Sequence, residues 1–232
     1  KSKTNYGESD ASDLQLNILT KKWGLDLYHQ KYSGFYIDDP DVNVPANTPY
    51  PQRPDIATKN IGMIGNYVFN NKKFSFRSAY NFADRQLRSS GSFLLFSSIR
   101  GSRIQGDSAI LGDEYSADFG VDSKINKIKA TTFSFAPGYT YSLIHRGFFL
   151  NATLAVGPAH NWLSYQTEDG ITKDDIEFTS FFAIRVGLGY NGDRFFAGLS
   201  FVNQGSNAKF DSIQLSSSSG TLKILFGFRF RE

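Results

Sequence analysis

Apolar and polar residues alternate with period two over stretches much longer than an ordinary strand. At the C-terminal end, Leu222, Ile224, Phe226, Phe228 and Phe230 share one face, and Thr221, Lys223, Leu225, Gly227, Arg229 and Arg231 share the other. Shifting that register by one residue would put three cations where the phenylalanines stand. Over residues 176–190, Ile176, Phe178, Ser180, Phe182, Ile184, Val186, Leu188 and Tyr190 oppose Glu177, Thr179, Phe181, Ala183, Arg185, Gly187 and Gly189. Over 130–143 a bulky face of Thr131, Phe133, Phe135, Pro137, Tyr139, Tyr141 and Leu143 opposes a uniformly small one. Pro137 lacks a ladder donor, so a local bulge is expected there. Strands in globular sheets run about five or six residues, whereas membrane strands need about 9–11 and often extend further.

The same pattern predicts strands at 13–19, 23–36, 57–70, 73–86, 92–100, 147–166 and 194–204. Short polar turns at 70–73, 145–147 and 191–193 separate several of them, and Asn191-Gly192 is a strong hairpin signal. Longer polar connections are expected at 37–56, 104–126, 167–175 and 205–219. Turns at 70–73 and 145–147 can lie at one end only if an even number of strands separates them, and this assignment supplies three. An extra short strand within 101–126, for instance Arg103 to Leu111, would restore the count. The expected fold is an all-β, transmembrane, antiparallel up-and-down β-barrel of about 10–12 strands. Short periplasmic turns would lie at one end and long extracellular loops at the other, with further strands able to precede residue 1.

Composition sharpens this reading. The chain of 232 residues suits a single barrel domain, and Phe 22 and Tyr 12 against Met 1 favour pleated surfaces over helices. Mean hydropathy is −0.33 and no apolar run reaches eighteen residues, which excludes a membrane helix but not a barrel. There are no cysteines, which removes disulfides, zinc–thiolate sites and cysteine nucleophiles. The net charge of +3 is scattered, so no basic face suits nucleic acid. The polar start implies a targeting segment already removed, or a longer chain.

Two aromatic bands are expected, as interfacial girdles require. Trp23, Tyr67, Phe69, Phe74, Phe148, Phe149, Tyr190, Phe195 and Phe230 fall near short turns. Tyr28, Tyr32, Tyr36, Trp162 and Tyr165 fall toward the long loops. Phe133, Phe135, Phe182, Ile184, Phe226 and Phe228 are expected to face lipid. Asp26, Arg77, Arg85, Glu177, Arg185, Lys223, Arg229 and Arg231 are expected to face the lumen as a network of paired charges. The proline-rich stretch with Pro45, Pro49, Tyr50, Pro51 and Pro54 reads as a stiff extracellular loop, either inert or suited to docking.

The motifs Asp13-Leu-Gln-Leu-Asn17, Lys22-Trp-Gly-Leu-Asp-Leu-Tyr28 and Gly34-Phe-Tyr36, with Gln30 and Tyr32, resemble the signature of an uncharacterised Bacteroidota outer-membrane barrel family. Asn70-Asn-Lys-Lys-Phe-Ser-Phe76, Arg85-Gln86 and Ser90-Gly-Ser-Phe93 fit the same resemblance, which covers residues 6–100. It implies location in the outer membrane, among its lipid and lipopolysaccharide, and further strands before this point. It implies no activity and no catalytic residues.

Three function classes follow. The first is a structural or accessory subunit that docks onto other outer-membrane proteins. The second is a small pore for anions or polar solutes, the anion preference following from the arginine and lysine that line it. The third is a lipid-modifying enzyme at the rim, where only His160, Asn161 and Ser164 lie near one another. His145 reads as a solvated turn residue and His29 as facing lipid or an interface. No nucleophile motif supports an enzyme, and none is expected. Asp38, Asp39 and Asp41, and Glu168, Asp169, Asp174 and Asp175, lack the spacing of a calcium loop, so neither metal nor cofactor is expected. Residues 216–219 read as a flexible serine loop.

Overall fold

The computed structural model describes residues 8–36, 49–110, 123–210 and 213–230. These form one antiparallel sheet in which every strand pairs with its neighbours in sequence: β1 (Asp10–Leu19), β2 (Trp23–Tyr36), β3 (Gln52–Val68), β4 (Ser90–Gln105), β5 (Ile125–His145), β6 (Phe148–Thr167), β7 (Thr172–Asn191), β8 (Phe195–Phe210) and β9 (Ile213–Phe228). The sheet curls into a half-barrel. Among the described residues no ladder joins β9 to β1, which leaves a seam between them.

Alternation sets the two faces. On β5, Ala130, Thr132, Ser134, Ala136, Thr140 and Ser142 are buried on the concave side, while Phe133, Phe135, Tyr139 and Tyr141 stand exposed on the convex side. The small concave residues let neighbouring strands approach closely across the curl. They also bond laterally: Ser98 to Ser134 at 2.6 Å, Thr132 to Asn161 at 2.6 Å, and Thr140 to Thr153 at 2.7 Å. The β5–β6 hairpin is closed by Arg146 (φ 50°) and Gly147 (φ 87°), the pair of positive φ values that a two-residue type I′ turn demands.

The largest departure from expectation is residues 73–86, which are not a strand. They belong to an inter-strand segment, 69–89, that enters the concave face and carries a short helix, α1 (Phe76–Tyr80). The alternation of Phe74 and Phe76 mimics a strand, but both rings are buried in the core together with Tyr80 and Phe82. Among the described residues only β4 and β5 lie between residues 70–73 and 145–147, an even number, so parity is met without a further strand within 101–126, of which residues 111–122 lie outside the described residues. Residues 103–105 end β4, and 106–110 are irregular. The described strands number nine against the expected ten to twelve.

Other bounds also move. Pro137 is not a bulge: it keeps register opposite Leu95, with its ring on the exposed side. The β5–β6 ladder lapses over 135–137 and 156–158, where Pro137 and Pro158 lack donors, and resumes without a shift. The connection expected at 167–175 shrinks to 168–171. Residues 205–219 are mostly strand, because pairing with β8 overrides the loop-like composition of the serine run. β3 begins at Gln52, inside the expected loop. Pro54 sits where the β2–β3 register jumps between Ser33 and Phe35, so its missing donor costs no ladder bond.

The core joins the inward segment to the wall. Phe74, Phe76, Ala79, Tyr80 and Phe82 pack with Ile64, Val68, Leu94, Phe96, Phe149 and Phe181. A smaller cluster of Ile125, Ile128, Ala130, Leu163 and Tyr165 lies toward the long-loop end. Phe181 is fully buried, so Phe181→Ala should lower unfolding stability by about 3–5 kcal/mol. Equilibrium denaturant unfolding checks it, with Phe178→Ala on the exposed face expected to cost far less.

Candidate functional site

The concave interior is where chemistry-bearing residues converge. The strands place charged side chains there, and the 69–89 segment covers them. Arg185 on β7 is 4 % exposed and donates from Nη2 to Asp26 Oδ2 on β2 at 2.8 Å. Its guanidinium lies 5.2 Å above the Phe96 ring and 5.9 Å from that of Phe76. Asn17 on β1 donates to Asp26 Oδ1 at 3.0 Å and accepts from the Lys223 ammonium of β9. A continuous polar chain therefore runs from β9 across the seam to β1, β2 and β7.

A second network anchors the inward segment. Asn191 Nδ2 donates to the Ser78 carbonyl at 3.0 Å and the Asp84 carbonyl at 3.0 Å. Arg229 donates to the carbonyls of Gly192 (2.6 Å) and Phe82 (2.7 Å) and to Asn191 Oδ1 (2.8 Å), with its guanidinium over Phe196. Arg85 pairs with Asp193 and donates to the Asn191 carbonyl, while Arg77 pairs with Asp84 at 3.5 Å. Tyr80 donates to Asn151 Oδ1 at 2.6 Å, and burial pushes its phenol up to about 12, which keeps that donor protonated. Phe82 holds φ at 56°, a costly conformation for an aromatic, and its ring stacks on Phe196 at 4.8 Å. A Cβ at Gly198 would fall 2.6 Å from the Phe82 ring, so the wall must be glycine there.

Of the eight residues expected to face inward, Asp26, Arg185 and Lys223 do so from strands, and Arg229 does so from just past the end of β9. Arg77 and Arg85 belong to the 69–89 segment instead: Arg77 is half-buried beside Asp84, whereas Arg85 is exposed at the short-turn end, where it pairs with Asp193, and does not face the interior. Glu177 is half-buried on the concave parity of β7, away from the Asp26 pair, and Arg231 lies outside the described residues. Sequence reasoning missed Arg100, buried 5.8 Å from the Phe181 ring, although it shares parity with Leu94, Phe96 and Ser98. It also missed Asn151 and Asn191, whose roles depend on a segment read as strand. Between the seam and α1 a cavity of about 260 Å³ remains, lined by Asp26, Tyr28, Tyr80, Arg185, Gln204 and Lys223.

Phe133, Phe135, Ile184, Phe226 and Phe228 are exposed on the convex face, Phe226 at 77 %, and Phe182 is half-buried there. Near the short turns the convex aromatics touch from strand to strand: Trp23–Tyr67, Phe93–Tyr139, Phe148–Tyr190 and Phe195–Phe228 lie 4.6–5.5 Å apart. Phe74 and Phe149, expected in that band, are core residues, and Tyr28 and Tyr165 turn inward. His160 packs against Trp162, tilted, and against Phe178, edge-on, while Asn161 points to the opposite face, so no His160–Asn161–Ser164 cluster assembles. No group that could hold a metal forms among the described residues. Tyr50 packs 5.5 Å from Tyr36, beside Pro49 and Pro51, and Pro45 lies outside the described residues.

These features define an up-and-down antiparallel half-barrel whose concave side is filled by its own inter-strand segment. The chain belongs to the family described as a domain of unknown function, DUF4421, whose model matches residues 1–230. No curated protein matches it.

The buried ion pair yields a sharp expectation. Asp26→Asn leaves the Arg185 cation without its carboxylate and should destabilise the fold by about 3–5 kcal/mol. Replacing both partners, Asp26→Leu with Arg185→Met, should recover most of that loss. Unfolding free energies of the Asp26→Asn variant and the double variant check this.

Proposed function

We propose that this protein is an outer-membrane β-barrel, from a Bacteroidota bacterium on the motifs of residues 6–100, serving as a structural or accessory subunit of a larger outer-membrane assembly. The observation that carries the reading is the pairing of two faces. A continuous exposed apolar surface with an aromatic band suits hydrocarbon and its interface. A concave side filled by Phe74, Phe76, Tyr80 and Phe82 leaves little room for solute flow. The ordered Pro49–Tyr50–Pro51 stretch beside Tyr36 offers a stiff contact surface for a partner at the long-loop end.

A pore is the competing reading, and the cation-lined cavity beside the seam is the feature in its favour. The filled interior outweighs it. In planar bilayers the wild-type protein should give no conductance steps. Replacing residues 75–88 by a glycine–serine linker of equal length should produce them, because it removes the obstruction. Steady wild-type conductance, with selectivity altered by charge reversal at Arg185 or Arg229, would transfer the assignment to an anion pore. Extraction in mild detergent should bring down a stoichiometric outer-membrane partner, and a solitary monomer would contradict the accessory role.

A further inference from the structure

Four cations stand side by side on the convex face. Lys31 of β2 is register partner to Lys59 of β3, Lys59 to Arg103 of β4, and Arg103 to Lys129 of β5. All four are exposed, and none forms an ion pair among the described residues. Adjacent strands lie about 4.8 Å apart, so four positive charges share roughly 15 Å of surface. Like charges directly opposite one another destabilise a sheet. Nothing in the packing requires the arrangement, and an external layer of anions would relieve it.

Two hollows in the convex surface coincide with this row. A cleft of about 490 Å³ runs along it, lined by Lys31, Lys59, Arg103, Gln105 and Asp10. Asp10 lies one row further out, opposite Ser33, and is ion-paired to none of the four. Directly inward along the strands, a furrow of about 600 Å³ is lined by Leu14, Leu16, Ile61, Met63, Ile99 and Gly101. The furrow deepens where Gly101 supplies no side chain between Ile61 and Thr131 in the adjoining strands. Charge and furrow are thus stacked as a headgroup and an acyl chain would be. Lys59 is eight residues from Tyr67 of the aromatic band on the same strand, about 27 Å along it. Strand tilt brings that to roughly the height of a barrel's apolar band, which sets the cations at the opposite interface.

We propose that Lys31, Lys59, Arg103 and Lys129, with the furrow beneath them, bind a phosphorylated lipid of the leaflet at the long-loop end. Its phosphates sit on the cation row and one acyl chain runs down the strands over Gly101, beside Ile61, Met63 and Ile99. The proposal rests on the membrane reading above and adds to it a site and a ligand class.

The test uses the full chain in phosphatidylcholine nanodiscs doped with phosphatidic acid, with retained lipid read by native mass spectrometry. Wild type should retain phosphatidic acid over phosphatidylcholine. Each single Lys→Gln or Arg→Gln change in the row should weaken retention about fivefold, and the quadruple variant should abolish the preference. Gly101→Leu should weaken retention by filling the furrow while leaving the charges in place, which keeps the proposal testable if the quadruple variant fails to fold. A control with Lys22, Lys72 and Lys73 changed to Gln, at the other end, should behave as wild type. Inorganic phosphate should not displace the lipid. The proposal fails if the row variants retain lipid like wild type, if the control loses as much, or if inorganic phosphate competes at equal concentration. A chain that does not enter bilayers would overturn the membrane reading with it. A chain that inserts without preferring phosphatidic acid overturns this proposal alone.

Discussion

A guanidinium on β7 and a carboxylate on β2 meet at 2.8 Å although five inter-strand steps separate them in the sheet. Laid flat, those steps would span about 24 Å. The contact exists only because the sheet curls, and small concave residues on β5 and β6, among them Ser134, Ala136, Thr140, Thr153, Ala155 and Ala159, leave room for it. Neither ion could be buried alone, since desolvating a single charge costs several kcal/mol. The pair, its flanking rings and the tightness of the curl are therefore one linked feature. Phe96 and Phe76 shield the guanidinium on the sides where water would otherwise enter.

The 69–89 segment follows from the same geometry. The small residues Ser, Thr, Asn and Ala that line much of the concave wall leave volume beside Phe96, Phe149 and Phe181. The segment fills it with four more rings, and the wall supplies hydrogen bonds that the segment's loop backbone needs. Asn191 and Arg229, at the ends of β7 and β9, satisfy carbonyls of a chain stretch that has almost no secondary structure of its own. The strain at Phe82 is held by packing on two rings, Phe149 and Phe196. With its interior filled in this way, the protein presents its remaining apolar surface outward, and that surface is the part left to interact.

Much of this was legible in the sequence, and the failures have a common cause. Period two identifies faces, so Asp26, Arg185, Lys223 and Arg229 fell on the concave side and Phe133, Phe135, Phe226 and Phe228 on the convex one. Period two does not reveal whether an alternating stretch is in the sheet at all. Phe74 and Phe76 alternate like a strand, and the sign against it was the parity conflict between the turns at 70–73 and 145–147. The serine run at 216–219 and the start of β3 failed for the opposite reason, because ladder pairing with a neighbour stabilises residues whose own propensities suggest a loop. Arg100 shares the parity that found Arg185, whereas the roles of Asn151 and Asn191 could not be read without the inward segment that they bond.

The account stands on one claim: the convex side chains contact hydrocarbon while the concave ones enclose the ion pair and the inward segment. The chain contains no cysteine, so single nitroxide labels can be placed without background. Labels stepped one residue at a time along β5 from 131 to 141, in reconstituted bilayers, report collision with oxygen and with a water-soluble nickel chelate. Oxygen access that peaks at 133, 135 and 139 and falls at 132, 134 and 140, with low nickel access at the peaks, is the predicted result. High nickel access at 133, 135 and 139 would place those side chains in water and contradict the account.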